Sequence, residues 1–244
     1  MATVFANSAQ GSSWASDQKF FVRIAWVLAG IIVIGFTQHA AMGRVDIPAV
    51  PVWVHLHGIA MIAWLALFVG QSRLAASGNL ALHRRLGWLG AFLACVIVGL
   101  GSFSGMMAIA LGRTPPFFSD AYFLALTQIG VVVFGGLALS GVVNRRDTQT
   151  HRRLMIGSTI LILEPAFGRI LPMPIIGGEV GEWIIMVIQL GFVGAIALHD
   201  RKVLGRVHAA TASLALVTVL AHVLVTFASH SAPVIALAAQ LSAR

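Results

Sequence analysis

His83-Arg84-Arg85-Leu86 recurs as His151-Arg152-Arg153-Leu154, and a fainter echo, Arg206-Val207-His208, follows. Each copy stands where a short basic stretch gives way to a long apolar run. Each therefore marks a loop turning back into a helix. The three histidines lie 68 and 57 residues apart, which describes a drifted duplication and not a strict repeat. Crossing ~30 Å of hydrocarbon takes roughly 20 apolar residues, and runs of that order flank every copy. Outward from these joins, the chain reads as an all-α integral membrane protein with seven transmembrane helices. The spans fall at about 24–43, 53–72, 86–112, 121–144, 154–171, 183–198 and 207–229. One opening span is followed by three hairpins, closed through 73–85, 145–153 and 199–206. The runs are too long, and alternate too little, for barrel strands.

Composition agrees. The chain is 58% hydrophobic and 10% charged, against about 25% charged in a soluble domain. Of its 16 basic residues, twelve fall in the N-terminal stretch (Lys19, Arg23) and in the three joins. Only Arg44, Arg113, Arg169 and Arg244 fall in the opposite set of loops, with Asp46, Asp120, Glu179 and Glu182. The positive-inside rule then places the N-terminus in the cytoplasm and the C-terminus outside, in a bacterial inner membrane. The net charge of +8 calls for no nucleic acid, because basic loops facing anionic membrane lipid account for it. Residues 1–18 read as a polar, disordered tail, and 232–244 as an apolar C-terminal tail. The first apolar run exceeds a secretory h-region and reads as a retained span. Cys95, the one cysteine, cannot form a disulfide within the chain and reads as a small core residue.

Three readings are open for His83, His151 and His208. They anchor helix ends at headgroups, with the arginine stems snorkelling. Or they converge beneath the bundle on a metal or a haem edge, the arginines pairing propionates. Or they brace the loops. A second polar layer emerges from depth, at ~1.5 Å per residue. His39 and His222 each lie roughly 22 Å from the start of their span; His57 lies roughly 6 Å, and Gln128 and Gln189 about 9–10 Å, below the other face. Five spans thus place a polar side chain in the outer half, and such groups usually face the bundle interior at a functional site. Two trans-axial histidines suit a b-type haem. His57 and His222 are the candidates for it, or for a metal, with His39 as third ligand or propionate partner. Met42, Met61, Met106, Met107 and Met173 crowd the same half, so copper is an alternative, as is no cofactor. Zinc is disfavoured without a cysteine partner or a close His pair.

Glu164-Pro165 lies near the midplane. Pro165 kinks the span and frees carbonyls. Glu164 is then a proton or ion site, or a neutral acid bracing the kink, while Arg169 pairs with it or reaches the surface. The linker 171–178 leaves rigidly through two prolines and turns on two glycines, as an interfacial or re-entrant cap.

His57-Gly58-Ile59-Ala60-Met61-Ile62-Ala63-Trp64, followed by the helix start His83-Arg84-Arg85-Leu86-Gly87, resembles the cytochrome b561 type of haem-binding bundle. It also resembles bacterial membrane proteins with the same basic turns, for which no activity is implied. The b561 resemblance covers about 55 of the 244 residues. It implies a haem on His57. The histidines of spans three and five, however, sit at the interface, and span four has none. A retinal Schiff base is excluded, since Lys19 and Lys202 both lie outside the spans. No P-loop, serine elbow or EF-hand is present. The sequence thus implies a haem-binding electron-transfer protein with a redox partner. Its alternatives are a cofactor-free carrier, with a His/Gln ligand site and Glu164 moving protons, and an accessory subunit of a larger membrane complex.

Overall fold

The computed structural model describes residues 17–243. It contains no strand among those residues. Six helices are long and apolar enough to cross a membrane: α1 (Asp17–Ala41), α2 (Val52–Ala76), α3 (Leu80–Ala110), α4 (Asp120–Val143), α8 (Gly178–Leu204) and α9 (Ala209–Ser229). The fifth expected run is two pieces, α5 (Thr148–Leu161) and α6 (Glu164–Ile170), broken at Ile162-Leu163. A short α7 (Met173–Ile176) precedes α8, and α10 (Ala232–Ser242) gives the C-terminal apolar stretch a defined helix, packed on α3 and α4. The tail expected over residues 1–18 lies outside the described residues up to residue 16, but Asp17 and Gln18 are helical and buried.

Neighbours in sequence pack as hairpins: α2 on α3, α3 on α4, α4 on α5, α8 on α9. Helix α1 closes the bundle by packing on α2 and α6. At Gly35 it approaches α6 so closely that an added Cβ would stand 2.8 Å from the backbone oxygen of Ala166. A backbone atom cannot move aside, so only glycine permits this crossing. Large apolar side chains such as Trp88, Phe92, Val143 and Phe227 remain exposed on the outside of the bundle, as a lipid-facing surface requires. Cys95 is on this outer surface, which corrects its placement in the core. Its helix α3 turns Ala94 and Ile97 inward instead.

The basic joins show how each hairpin closes. In the first, Gly78 takes φ +76°, Asn79 caps α3 by accepting from Leu82 N at 3.3 Å, and Gln71 Nε2 donates to the His83 carbonyl at 3.1 Å. His83 Nδ1 returns a bond to the Gln71 carbonyl at 3.3 Å. In the second, Asp147 caps α5, accepting from Gln149 N and Thr150 N. His151 Nδ1 donates to Gly141 O at 2.7 Å. Arg145 N has turned to Val142 O, so the histidine serves a helix-end carbonyl that has lost its own donor. In the third join the role reverses. Gly205, left-handed at φ +71°, ends α8, and His208 Nδ1 accepts from Ala210 N at 3.1 Å as the cap of α9.

That cap needs a neutral ring. Burial, and next Arg153, hold the His208 imidazole below its ordinary 6.5. A histidine with a lowered folded value stabilises the fold above its unfolded value, and the contribution is lost as pH falls from about 6.5 down through the lowered folded value. Thermal unfolding between pH 7.5 and 5.5 should therefore show a loss of stability, of which His208→Asn, which keeps an acceptor at the cap, removes a measurable part. An equal pH dependence in the variant counts against this role.

Candidate functional site

Pro165 has no N–H, so the Leu161 carbonyl four residues earlier loses the donor that would continue the helix. Gln189 of α8 supplies the replacement, its Nε2 donating to Leu161 O at 3.2 Å. The Gln189 oxygen in turn accepts from His222 Nε2 of α9 at 3.0 Å. Gln189 is fully buried and His222 nearly so. A helix break, an amide and an imidazole thus form one chain across three elements. Since the amide oxygen can only accept, the His222 proton sits on Nε2, leaving Nδ1 with the free lone pair.

On the other side of the break Glu164 opens α6. Its carboxyl adjoins that of Glu182 in α8. Glu182 is 1% exposed, and no well-formed hydrogen bond reaches either of its carboxyl oxygens. Buried Tyr122 of α4 borders the same acids. Arg169 forms no ion pair with Glu164 in the structure. It donates to Pro165 O at 2.7 Å and lies 4.2 Å over the Phe36 ring. Beyond α6, the linker is only partly packed: Met173 is fully buried, Ile175 is 85% exposed, and Gly177 adopts φ +81°.

The remaining members of the expected layer go elsewhere. Gln128 binds α3, accepting from Ser102 Oγ at 2.6 Å and donating to Ser102 O at 3.2 Å. His57 faces α3 at Gly101, where a Cβ would lie 3.4 Å from its ring. Its Nδ1 is buried without a partner, as is Nδ1 of His39, which stands near Arg169. Helix α2 packs mainly on α1 and α3, while α9 packs on α4, α5, α8 and α10. The layer therefore separates into two polar contacts, Gln128 with Ser102 and Gln189 with His222, and two histidines whose Nδ1 atoms have no partner. Only Gln189 and His222 meet.

Each histidine of the basic joins hydrogen-bonds backbone of its own hairpin. The rings of His83 and His151 meet edge to face at 6.1 Å, but His208 is occupied in its own cap. Among the described residues no three His, Cys, Asp or Glu side chains gather as metal ligands do. Arg153, placed in a cytoplasmic loop by its sequence, is 1% exposed and bound to the fully buried Asp200.

Two residues that sequence reading passed over are Glu182 and Asp200. Starting the sixth span at Trp183 made Glu182 a loop charge and left Asp200 unread. The signal was present in the periodicity. Helical spacing carries an inward Gln189 to positions 182, 185, 193, 196 and 200, and all of those are buried in α8, along with Gly178 and Gly181. No family model matches the chain, and neither does any curated protein or solved structure.

Proposed function

We propose that this chain is a multi-pass carrier of a bacterial inner membrane, with the N-terminus cytoplasmic and the C-terminus outside. In this reading the broken α5–α6 unit serves as a seventh spanning segment. Gln189 and His222 form a polar ligand site, and Glu164 with Glu182 holds the coupling proton. The observation that carries the reading is the capture of the Pro165-freed Leu161 carbonyl by Gln189. Irregular backbone at membrane depth is tolerated where it is enclosed by protein, and broken helices with nearby ionisable groups mark transport sites. Intramembrane carboxyls and histidines that face one another make proton relays.

Infrared difference spectroscopy tests the proton. The reading expects a protonated-carboxyl stretch at neutral pH that is lost in Glu164→Gln or Glu182→Gln. Proteoliposomes with an entrapped pH dye should show proton movement under an imposed potential, slowed at least tenfold by either variant. Unchanged carboxyl bands together with unchanged flux would defeat the carrier reading.

A second reading is favoured by the unpartnered ring nitrogens of His39 and His57. It is a b-type haem electron-transfer protein in which His57 would hold the iron, while His222, on a helix that packs apart from α2, would need a rearrangement to join it. Ligation through His222 Nε2 requires release of Gln189, and ligation through Nδ1 does not. A haem would supply one-electron redox chemistry there. A purified preparation with a Soret band that His57→Ala abolishes would establish this reading over the first.

A further inference from the structure

A groove of about 350 Å³ runs between the start of α1 and the end of α8, lined by Lys19, Phe20, Arg23, His199, Lys202 and Val203. The walls are held in place. Phe20 stacks on the His199 ring at 3.7 Å and 7°. His199 Nε2 is tied to Asp17 Oδ1 at 2.8 Å, and Asp17 is also bound by Arg152. Both helices pack on α5, so the groove is a crevice between two helices seated on a third.

Three cations line this crevice and have no acid to meet. Lys19, Arg23 and Lys202 are exposed and form no ion pair among the described residues. The two acids nearby are taken, Asp17 by Arg152 and His199, and Asp200 by Arg153 and Thr211. Residues 1–16 contain no Asp or Glu, so they bring no counter-charge. Below the cations the surface turns apolar on the same faces. On α1, Lys19 and Arg23 are followed one turn on by Trp26 and Val27, each at least half exposed, and on α8 Leu198 lies one turn before Lys202 and is 68% exposed. A ring of positive charge above an apolar track matches a phosphate headgroup above its acyl chains, and a free phosphate has no use for the track.

We propose that this groove binds the headgroup of an acidic phospholipid, with Lys19, Arg23 and Lys202 as its counter-charges. Basic pockets between helices at the cytoplasmic face suit such headgroups, and each cation near an anionic surface is worth about fivefold in affinity. The site is distinct from the acid pair at the opposite end of α8 and stands whether or not the carrier reading holds.

The test titrates detergent-purified protein with phosphatidylglycerol, with phosphatidylcholine, and with inorganic phosphate, following Tm and the lipid retained per protein. Phosphatidylglycerol should raise Tm, and the other two should not. The triple variant Lys19→Gln, Arg23→Gln, Lys202→Gln should lose the shift, with affinity falling about a hundredfold at about fivefold per charge. A charge-matched control, Arg73→Gln, Arg84→Gln, Arg85→Gln, should keep it. If the triple variant does not fold, Lys202→Gln alone should weaken retention about fivefold. Equal retention in wild type and variant overturns the proposal. So does an equal shift with inorganic phosphate, which would make the groove a site for free anions, and so does loss in the control, which would reduce the effect to net charge.

Discussion

Replacing Arg153 with Met is expected to cost about 3–5 kcal/mol, because it leaves the Asp200 carboxylate buried without its cation. The two side chains are 1% and 0% exposed. Arg153 Nε donates to Asp200 Oδ1 at 3.1 Å and to Thr211 Oγ1 at 3.2 Å. Its Nη1 donates to Gln149 O at 2.9 Å. Asp200 also accepts from Thr211 Oγ1 at 2.5 Å and from His208 N at 3.1 Å. One guanidinium therefore fixes the start of α5 to the end of α8 and the beginning of α9. Arg153, Asp200 and Thr211 are each buried, so solvent does not replace the lost charge. Thermal unfolding in detergent measures the effect. Pairing the substitution with Asp200→Leu removes the stranded carboxylate, and the double variant should recover most of the loss, a coupling that the two single variants cannot show by themselves. A single variant as stable as wild type would mean that Asp200 finds water or another donor. The matching exchange in the first copy of the motif, Arg85→Met, should change stability little, because Arg85 is exposed and exposed charges contribute about 0–1 kcal/mol.

That contrast shows what the sequence could and could not reveal. The repeated His-Arg-Arg-Leu located two hairpin joins correctly, since a run of cations between two apolar stretches has to lie where the chain meets water. It did not reveal that the two copies are used differently. The distinction depends on which element covers each join. The second copy is covered by α8 and α9, whose Asp200 and Thr211 lie 47 and 58 residues away from Arg153. No local pattern encodes a pairing at that separation.

The acid and amide site was legible in parts. Pro165 pointed to a break and a freed carbonyl, and the structure contains both. The partner of that carbonyl could be narrowed only by asking which side chain at similar depth faces inward. Gln189 and His222 were placed in one layer by depth, and they do meet. His39, His57 and Gln128 shared that depth but sit on helices with other neighbours, so depth without azimuth overcounted the site. Glu182 was missed for the complementary reason. Its azimuth, two turns from Gln189, was readable, but it was assigned to a loop before azimuth was considered.

Replacing Glu182 with Leu should raise the stability of the protein while removing the proposed proton site. A buried polar group without a hydrogen-bond partner costs about 1–3 kcal/mol, and both oxygens of this carboxyl are in that state. Leucine is close in size to the acid and leaves no unpaired oxygen at this position, so a gain of about 1–3 kcal/mol in unfolding free energy is expected, less whatever the adjoining Glu164 carboxyl then lacks. Glu182→Gln should bring no such gain, because the amide is as hard to satisfy as the acid. The sign of the result separates two roles. A carboxyl that braces the helix break through Glu164 would be missed, and Leu would destabilise. A carboxyl retained for proton transfer sits there against the interests of stability, and its removal should make the protein more stable and inactive together. The measurement is Tm for the three proteins in one detergent, set beside the dye-reported proton flux of each. Higher stability with lost flux supports the acid pair as the working site. Lower stability with lost flux would make Glu182 a structural brace.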